Sequence, residues 1–332
     1  MGLFSINPIE KSDINKSLSD CNDKPLQQCL CDRTLKIDYY KNDNKAVHFY
    51  TGLESYRKFK FLYSTLGPAV DRLNYIYGPP PKDVTPINRF FLTLIILRQH
   101  KTHYEMSLLF NISEKQVSNI FFTWIRFMKL QWSEISQWPE RELVRFFSPH
   151  DFKKKYPRVR IIVDGTEIPV QKPSNPTAQK STFSKYKNKN TVKLVVGATP
   201  GGLISYLSPT YGGSVTDRQI IERSDLLKML DLGDSVMADK GFDVEDILAA
   251  YKVTLNIPTF FKKKNQITPH TLREDKKIAS KRVHIERLIG LGKTYKILEG
   301  PLFGIEITLA EDISFICFNL CNFRKCIVDK LA

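Results

Sequence analysis

The stretch Ile161–Val170 reads IIVDGTEIPV, an apolar and β-branched run that contains one aspartate followed by a glycine. Such a run, bounded by basic and turn-prone sequence, predicts a strand with buried faces. A carboxylate inside a buried strand is costly unless a cation or hydrogen-bond donors offset its charge. Asp164 is therefore the first residue that calls for a functional explanation; the alternative is a strand-end aspartate satisfied by backbone donors.

Length and composition predict a globular, intracellular protein with more than one domain. The chain has 332 residues, of which 42% are hydrophobic and 26% charged, a balance that excludes a disordered class. No apolar run reaches the roughly 18 residues of a membrane span, and the start lacks the pattern of a secretory signal. Cys317 and Cys321, four residues apart in an apolar segment, are predicted to be packed free thiols.

The net charge of +15 is distributed unevenly along the chain. Residues 151–200 and 251–300 each carry a net charge of +8, whereas residues 201–250 carry −5. A single block of this kind is usually a solvated surface. Two basic blocks on either side of an acidic one favour a polyanionic partner held around a group of carboxylates.

The first part of the chain predicts a loose polar leader (1–45) and then a helical region (46–150). Thr85-Pro86 is typical of a helix start, and capping boxes begin at Thr102 and Ser113. A helix, a short helix, a tight turn and a longer helix outline a helix-turn-helix at about 86–130, with a small bundle that binds no DNA as the alternative. Four polar residues off the apolar face of the last helix are the predicted DNA contacts: Lys115, Gln116, Ser118 and Asn119.

The remaining part, 151–332, alternates between strand and helix patterns. After IIVDGTEIPV the sequence predicts strands TVKLVVGA (191–198) and LISYLSPTY (203–211), helix DRQIIERSDLLKML, strand SVMAD (235–239), a helix, strand VTLNIP (253–258) and a long helix. That order predicts an α/β, ribonuclease H-like domain, a mixed sheet flanked by helices, preceded by the all-α helix-turn-helix region.

Three acids fall where this topology brings them together, namely Asp164, Asp239 and Glu286. Converging carboxylates repel one another unless cations or protons offset their charge, and Mg²⁺ prefers such oxygen ligands. Two ions would support in-line displacement at a phosphodiester. Each acid taken alone has a structural alternative: Asp239 as a turn former, Glu286 as a surface charge paired with Arg282 or Lys293.

Five motifs carry a resemblance to a known family. They are DGTEIPVQKPS (164–174), TFSKYKNKNTVKLVVGATPGG (182–202), YGGSVTDRQI (211–220), MADKGF (237–242) and ASKRVHIERLIGLGK (279–293). With them the chain resembles the DDE-superfamily endonucleases related to PIF/Harbinger-type DNA transposases, in the lineage often fused to a THAP finger. The Cys/His pattern of that finger is absent from the leader. The resemblance implies that Asp164, Asp239 and Glu286 form a DDE triad that cuts DNA with Mg²⁺, or Mn²⁺ in its place, and joins 3′-hydroxyl ends to a target.

Basic residues around the triad are the predicted phosphate contacts. Besides Lys193 they are Lys185, Lys187, Lys189, Lys262, Lys263, Lys264, Arg282 and Arg287. The Phe261–Lys264 run also predicts nuclear import, while a homo-oligomer and an accessory DNA-binding protein stay open as partners. His284 either orients a ligand or packs the helix. Two other functions stay open: a domesticated, catalytically inactive DNA-binding protein of the same fold, and a helix-turn-helix regulator with an unrelated ligand domain.

Overall fold

The computed structural model describes residues 34–135, 138–239, 241–257, 269–326 and 328, with the backbone alone at 269–279. The N-terminal half is helical. After a 3₁₀ turn at Ile37–Tyr40 come α1 (Asn44–Thr51), α2 (Tyr56–Ser64), a 3₁₀ turn (Pro68–Asp71), α3 (Pro86–Gln99), α4 (His103–Phe110), α5 (Glu114–Ser133), α6 (Arg141–Phe147) and α7 (His150–Lys155). Ile37 is fully buried, so the packed chain begins before residue 46, earlier than the sequence predicted.

The second half contains the sheet and the helices that flank it. Its strands are β1 (Val159–Pro169), β2 (Phe183–Ser184), β3 (Lys189–Ala198), β4 (Ile204–Leu207), β5 (Tyr211–Gly212), β6 (Ser235–Met237) and β7 (Thr254–Asn256). Its helices are α8 (Pro176–Thr182), α9 (Asp217–Arg223), α10 (Leu226–Met229), α11 (Glu245–Ala250), α12 (Pro269–Lys293), a 3₁₀ turn (Lys296–Leu298), α13 (Ile305–Thr308) and α14 (Ala310–Asn322). None of the described helices is long and apolar enough to cross a membrane.

The strand that contains Asp164 is central in the sheet. β1 pairs antiparallel with β3 on one side and parallel with β6 on the other, and β6 pairs parallel with β7. The short strands β2, β4 and β5 all pair with β3. The predicted class is confirmed: a mixed sheet flanked by helices in a ribonuclease H-like domain, after an all-helical region.

Three details of the second half differ from the sequence prediction. LISYLSPTY forms two strands, β4 and β5, because Pro209 has no N–H to donate to a ladder. DRQIIERSDLLKML forms two helices, since Ser224 is extended at the end of α9. The sequence also missed α8 and β2, which lie between the first two predicted strands.

One hydrophobic core crosses the predicted boundary at residue 150. It joins the helical region, through side chains such as Phe90 and Trp124, to the side of β1 that contains Ile162 and to the helix α14. Within α14, Cys317 and Cys321 are buried free thiols, as predicted. A second core covers the opposite side of the sheet, where β1 contributes Ile161 and Val163 in the alternation expected of a strand.

Candidate active site

Two aspartates belong to neighbouring parallel strands: Asp164 lies within β1, and Asp239 lies two residues beyond the end of β6. In the register of β1 with β6, Ile162 pairs with Met237. Asp164 and Asp239 each follow this pair by two residues, and strand alternation therefore directs both side chains to one face of the sheet. Ile162 and Met237 belong to the core on that face, against which the long helix α12 packs. The topology thus brings together two acids that are 75 residues apart in sequence.

Asp164 is largely buried, and its carboxyl responds to that burial. Its Oδ1 accepts a hydrogen bond of 2.9 Å from the backbone N–H of Gly165. The pKa of Asp164 is raised to about 6, mainly by burial and also by the charges of Asp239 and Glu286, against the opposing influence of Arg282 and the Gly165 N–H. Asp239 and Glu286 are thus close enough to Asp164 for their charges to affect its carboxyl.

The third acid is held by α12, which is anchored to the sheet by Ile285 and Leu288. Arg282 lies one turn before Glu286 on this helix and bridges the acids. Its guanidinium is 2.8 Å from Asp239 Oδ1 and 3.4 Å from Glu286 Oε1. The Arg282 side chain is only 10% exposed, whereas those of Asp239 and Glu286 are 49% and 53% exposed. The pairing of Glu286 with Arg282, open as an alternative in the sequence, is therefore present together with the convergence of the acids.

The donor set suits a hard divalent cation, because it consists of carboxylate oxygens. Asp164, Asp239 and Glu286 would hold such an ion. In the part of the chain that the structure describes, however, no three His, Cys, Asp or Glu side chains are arranged to hold a metal. The Arg282 guanidinium already provides a positive charge between Asp239 and Glu286. A metal ion would therefore compete with Arg282 for these two carboxylates.

The helix-turn-helix is built as its capping boxes predict. The hydroxyls of Thr102 and Ser113 accept hydrogen bonds from the third residues of α4 and α5, whose side chains bond back. At the start of α5, Lys115 is exposed, and Gln116, which forms the capping box, and Ser118 are half-buried.

Asn119 corrects the predicted set of DNA contacts. The residue is 3% exposed, and its amide accepts from the Tyr77 N–H at 3.1 Å and donates to the Gly78 carbonyl at 2.9 Å. These bonds hold the connector that precedes α3. A buried amide with both of its functions occupied cannot contact a base, so Lys115, Gln116 and Ser118 remain as the predicted contacts in α5.

Two family models match the chain. Residues 163–322, which include all three acids, match a DDE superfamily endonuclease, and residues 82–134 match the helix-turn-helix of DDE superfamily endonucleases. The chain belongs to the DDE endonuclease superfamily. No curated protein matches the sequence.

Among the described residues, the predicted phosphate contacts of this DDE-superfamily chain differ in their exposure. Lys185, Lys187 and Lys189 are exposed at the turn between β2 and β3, and Arg287 is exposed beside Glu286 on α12. Arg282 is buried among the acids. The remaining predicted contacts, Lys262, Lys263 and Lys264, lie outside the described residues.

The sequence did not assign a role to Asp217, whose carboxylate lies against Gly165 of β1, next to Asp164. Its Oδ1 lies where a Cβ on Gly165 would approach to 2.6 Å, so a side chain at position 165 would displace it. Asp217 also pairs with Lys193 on β3 at 3.1 Å. Glycine next to Asp164 is the only sequence signal for this close contact. In the sequence Asp217 was interpreted only as part of the start of a helix.

His284 packs rather than faces the acids. The residue is 6% exposed, and its ring centroid is 5.9 Å from that of Phe152 on α7. Burial, together with Lys281 and Arg287, lowers the pKa of His284, so the neutral ring is favoured at this position. The helix-packing alternative fits these contacts.

Proposed function

We propose that the protein is a metal-dependent endonuclease of the transposase type, related to the PIF/Harbinger lineage, which cleaves DNA phosphodiester bonds and joins 3′-hydroxyl ends to target DNA. The observation that carries the proposal is the mutual approach of Asp164, Asp239 and Glu286 at one face of the sheet. The matches to an endonuclease and to its helix-turn-helix support it at the level of the superfamily.

In this proposal Asp164, Asp239 and Glu286 act as ligands of two Mg²⁺ ions, or of Mn²⁺ in their place. The bound ions supply activation of the attacking oxygen and stabilisation of the leaving oxygen. Before a metal ion binds, the positive charge of Arg282 offsets the repulsion between the carboxylates of Asp239 and Glu286. Once released, its guanidinium is positioned to bind a phosphate next to the acids, because planar guanidinium groups pair well with phosphate oxygens.

The protonation of Asp164 limits the pH range of the proposed reaction. A carboxyl with a pKa of about 6 is largely neutral at pH 5 and ionised at pH 7. Only the ionised form is a good cation ligand. Metal affinity and cleavage should therefore increase as the pH rises through about 6.

A second candidate function is sequence-selective DNA binding without catalysis, in a domesticated protein of the same fold. The observation that favours it is the bridge from Arg282 to two of the three acids, which offsets their charge without a metal. In this case the helix-turn-helix and the exposed lysines would account for the whole function.

Cleavage of supercoiled plasmid with and without Mg²⁺ separates the two candidates. We expect metal-dependent nicking by the wild type and none by Asp164→Ala, with Asp225→Ala, at an exposed aspartate outside the groove, as a matched control that keeps activity. Equal nicking by wild type and Asp164→Ala would refute the assignment of the active site. DNA binding with a steep salt dependence, but no nicking with Mg²⁺ or Mn²⁺, would favour the second candidate.

We further propose a nuclear location, because both candidate functions require the protein to bind DNA. The predicted import run Phe261–Lys264 lies outside the described residues. Substitution of Lys262, Lys263 and Lys264 by Gln in a fluorescent fusion tests the run. Unchanged nuclear accumulation would exclude this run as the import signal.

A further inference from the structure

We infer that the turn between β2 and β3 is a binding site for unpaired DNA, with Tyr186 as a stacking surface for a base. This inference rests on the proposed function, because it specifies how the DNA next to the acids is held. The turn reads Lys185-Tyr186-Lys187-Asn188 and projects into a wide groove of about 1680 Å³ formed by α8, the loop after β5 and the start of α9.

The groove is basic, and most of its lysines are not neutralised. Four exposed lysines line it: Lys172, Lys180, Lys185 and Lys189. None of these four forms an ion pair with the part of the chain that the structure describes, in contrast to Lys193, which pairs with Asp217. Unpaired lysines along a groove provide positive charge that can bind successive phosphates of a DNA strand.

Tyr186 has the exposure and the setting of a stacking residue. Its side chain is 85% exposed, the highest exposed fraction among the large hydrophobic residues described, and Phe183 in the same groove is 39% exposed. The Lys187 ammonium lies 4.8 Å from the Tyr186 ring centroid. Bases in a duplex already stack on their neighbours, so a projecting aromatic ring between lysines favours an unpaired base over a duplex.

The groove is close to the acid-bearing elements. Gly241, two residues after Asp239, lines one end of it, as does Asp217, which lies against Gly165. On α12, Lys293 lies two turns beyond Glu286, and its pKa is lowered by burial and by the charges of the turn lysines Lys187 and Lys189. A strand that leaves the acids can therefore pass directly onto the turn.

The base of the turn is fixed by polar contacts. The Asn190 amide donates to the Gln179 carbonyl at 2.9 Å and to the Thr182 hydroxyl at 2.8 Å. On the other side, β5 approaches so closely that a Cβ on Gly213 would clash with the Thr182 carbonyl at 2.7 Å. The turn is thus held in place before DNA binds, which reduces the entropic cost of binding.

The test uses the full-length protein without divalent ions and a single-stranded oligonucleotide of about 10 nucleotides with one central 2-aminopurine. We expect its fluorescence to fall on binding, as the base stacks. Tyr186→Ala should abolish the fall and weaken binding by about 5- to 100-fold, while Tyr186→Phe, which keeps the ring, should behave as wild type. Tyr39→Ala, at an exposed tyrosine in the helical half, is the matched control.

A second pair of variants tests the charge. Lys185→Gln with Lys189→Gln should reduce the salt slope of single-strand binding by roughly 1.4, whereas Lys45→Gln with Lys60→Gln should leave it unchanged. Unaltered binding and fluorescence in Tyr186→Ala, or an equal loss of duplex and single-strand binding in that variant, would overturn the inference. Metal-dependent cleavage without single-strand binding refutes the turn alone. Tyr186-dependent binding without cleavage refutes the proposed reaction alone.

Discussion

The raised pKa of Asp164 means that ionising this carboxyl in the folded protein costs stability. Because the pKa is raised from 3.8 to about 6 in the folded protein, the destabilising contribution of Asp164 is absent below pH 4, where the carboxyl is neutral, and grows as the pH rises to about 6. Asp164→Asn is neutral at every pH. We expect it to raise the free energy of unfolding at pH 8 by about 2–3 kcal/mol and to have little effect at pH 4. Urea unfolding at both pH values measures this.

Asp246 provides a control of opposite sign. Hydrogen bonds from Arg218 lower the pKa of this exposed carboxyl to about 2, so its contribution is present above pH 4 and lost as the pH falls towards 2. Asp246→Asn should therefore lose a little stability at pH 8, where Asp164→Asn gains. If Asp164→Asn were instead destabilised at pH 8, the folded protein would stabilise the ionised carboxylate, and the prediction would be wrong.

Arg282 offers a second test at the scale of single residues. Arg282→Gln removes the positive charge between the acids, and we expect it to cost about 1–2 kcal/mol at pH 8, less than a fully buried pair because Asp239 and Glu286 are half exposed. The mutant should also be stabilised more by Mg²⁺ than the wild type is, since the ion no longer competes with a guanidinium. Thermal unfolding at increasing Mg²⁺ measures both effects, with Arg282→Lys as the charge-retaining control. An equal response to Mg²⁺ in wild type and mutant would contradict the competition.

Among the elements, α5 separates residues that support the fold from those predicted to bind DNA. Asn119→Ala removes the two hydrogen bonds that hold the backbone of Tyr77 and Gly78 and should cost about 1–3 kcal/mol of stability. Lys115→Ala should leave stability unchanged and reduce the salt slope of duplex binding by about 0.9. Chemical unfolding and binding titrations on both variants measure the separation. A stable Asn119→Ala with weakened DNA binding would restore Asn119 as a DNA contact.

Elements defined by local chemistry were predictable from sequence, and those defined by distant contacts were not. The capping boxes at Thr102 and Ser113 gave the starts of α4 and α5, because both partners lie within four residues. Thr308 and Glu311 have the same spacing in the sequence but form no capping box: Thr308 ends α13, where its hydroxyl donates to the Ile305 carbonyl. The bridge from Arg282 to Asp239 depends on the pairing of β1 with β6 and the packing of α12, which no local pattern specifies.

The molecule as a whole is joined by α14, the last helix of the endonuclease match, which packs against α5 in the helix-turn-helix match. Phe318 in this helix is fully buried and packs against α12 at Gly292. On the helical side, Arg126 of α5 pairs with Asp312 at 2.9 Å, and Lys58 of α2 bonds to the Phe323 carbonyl at 2.9 Å. The predicted domain boundary at residue 150 misses this connection, because the apolar face of α14 does not identify the helices against which it packs. The helical region and the region that contains the three acids are therefore joined by one common core and not by a linker alone.

A shared core predicts that both regions unfold together. Phe318→Ala should cost about 3–5 kcal/mol, as for a large side chain removed from a packed core. The loss should appear equally in the fluorescence of Trp124 and Trp132, which lie in α5, and in hydrogen exchange of β1 and β3, with one transition in urea. Phe146→Ala, at a phenylalanine that is 72% exposed, should change neither probe. If tryptophan fluorescence kept its wild-type midpoint while β1 exchanged faster, the two regions would be independent units. The helix-turn-helix would then stay folded when the acid-bearing sheet unfolds.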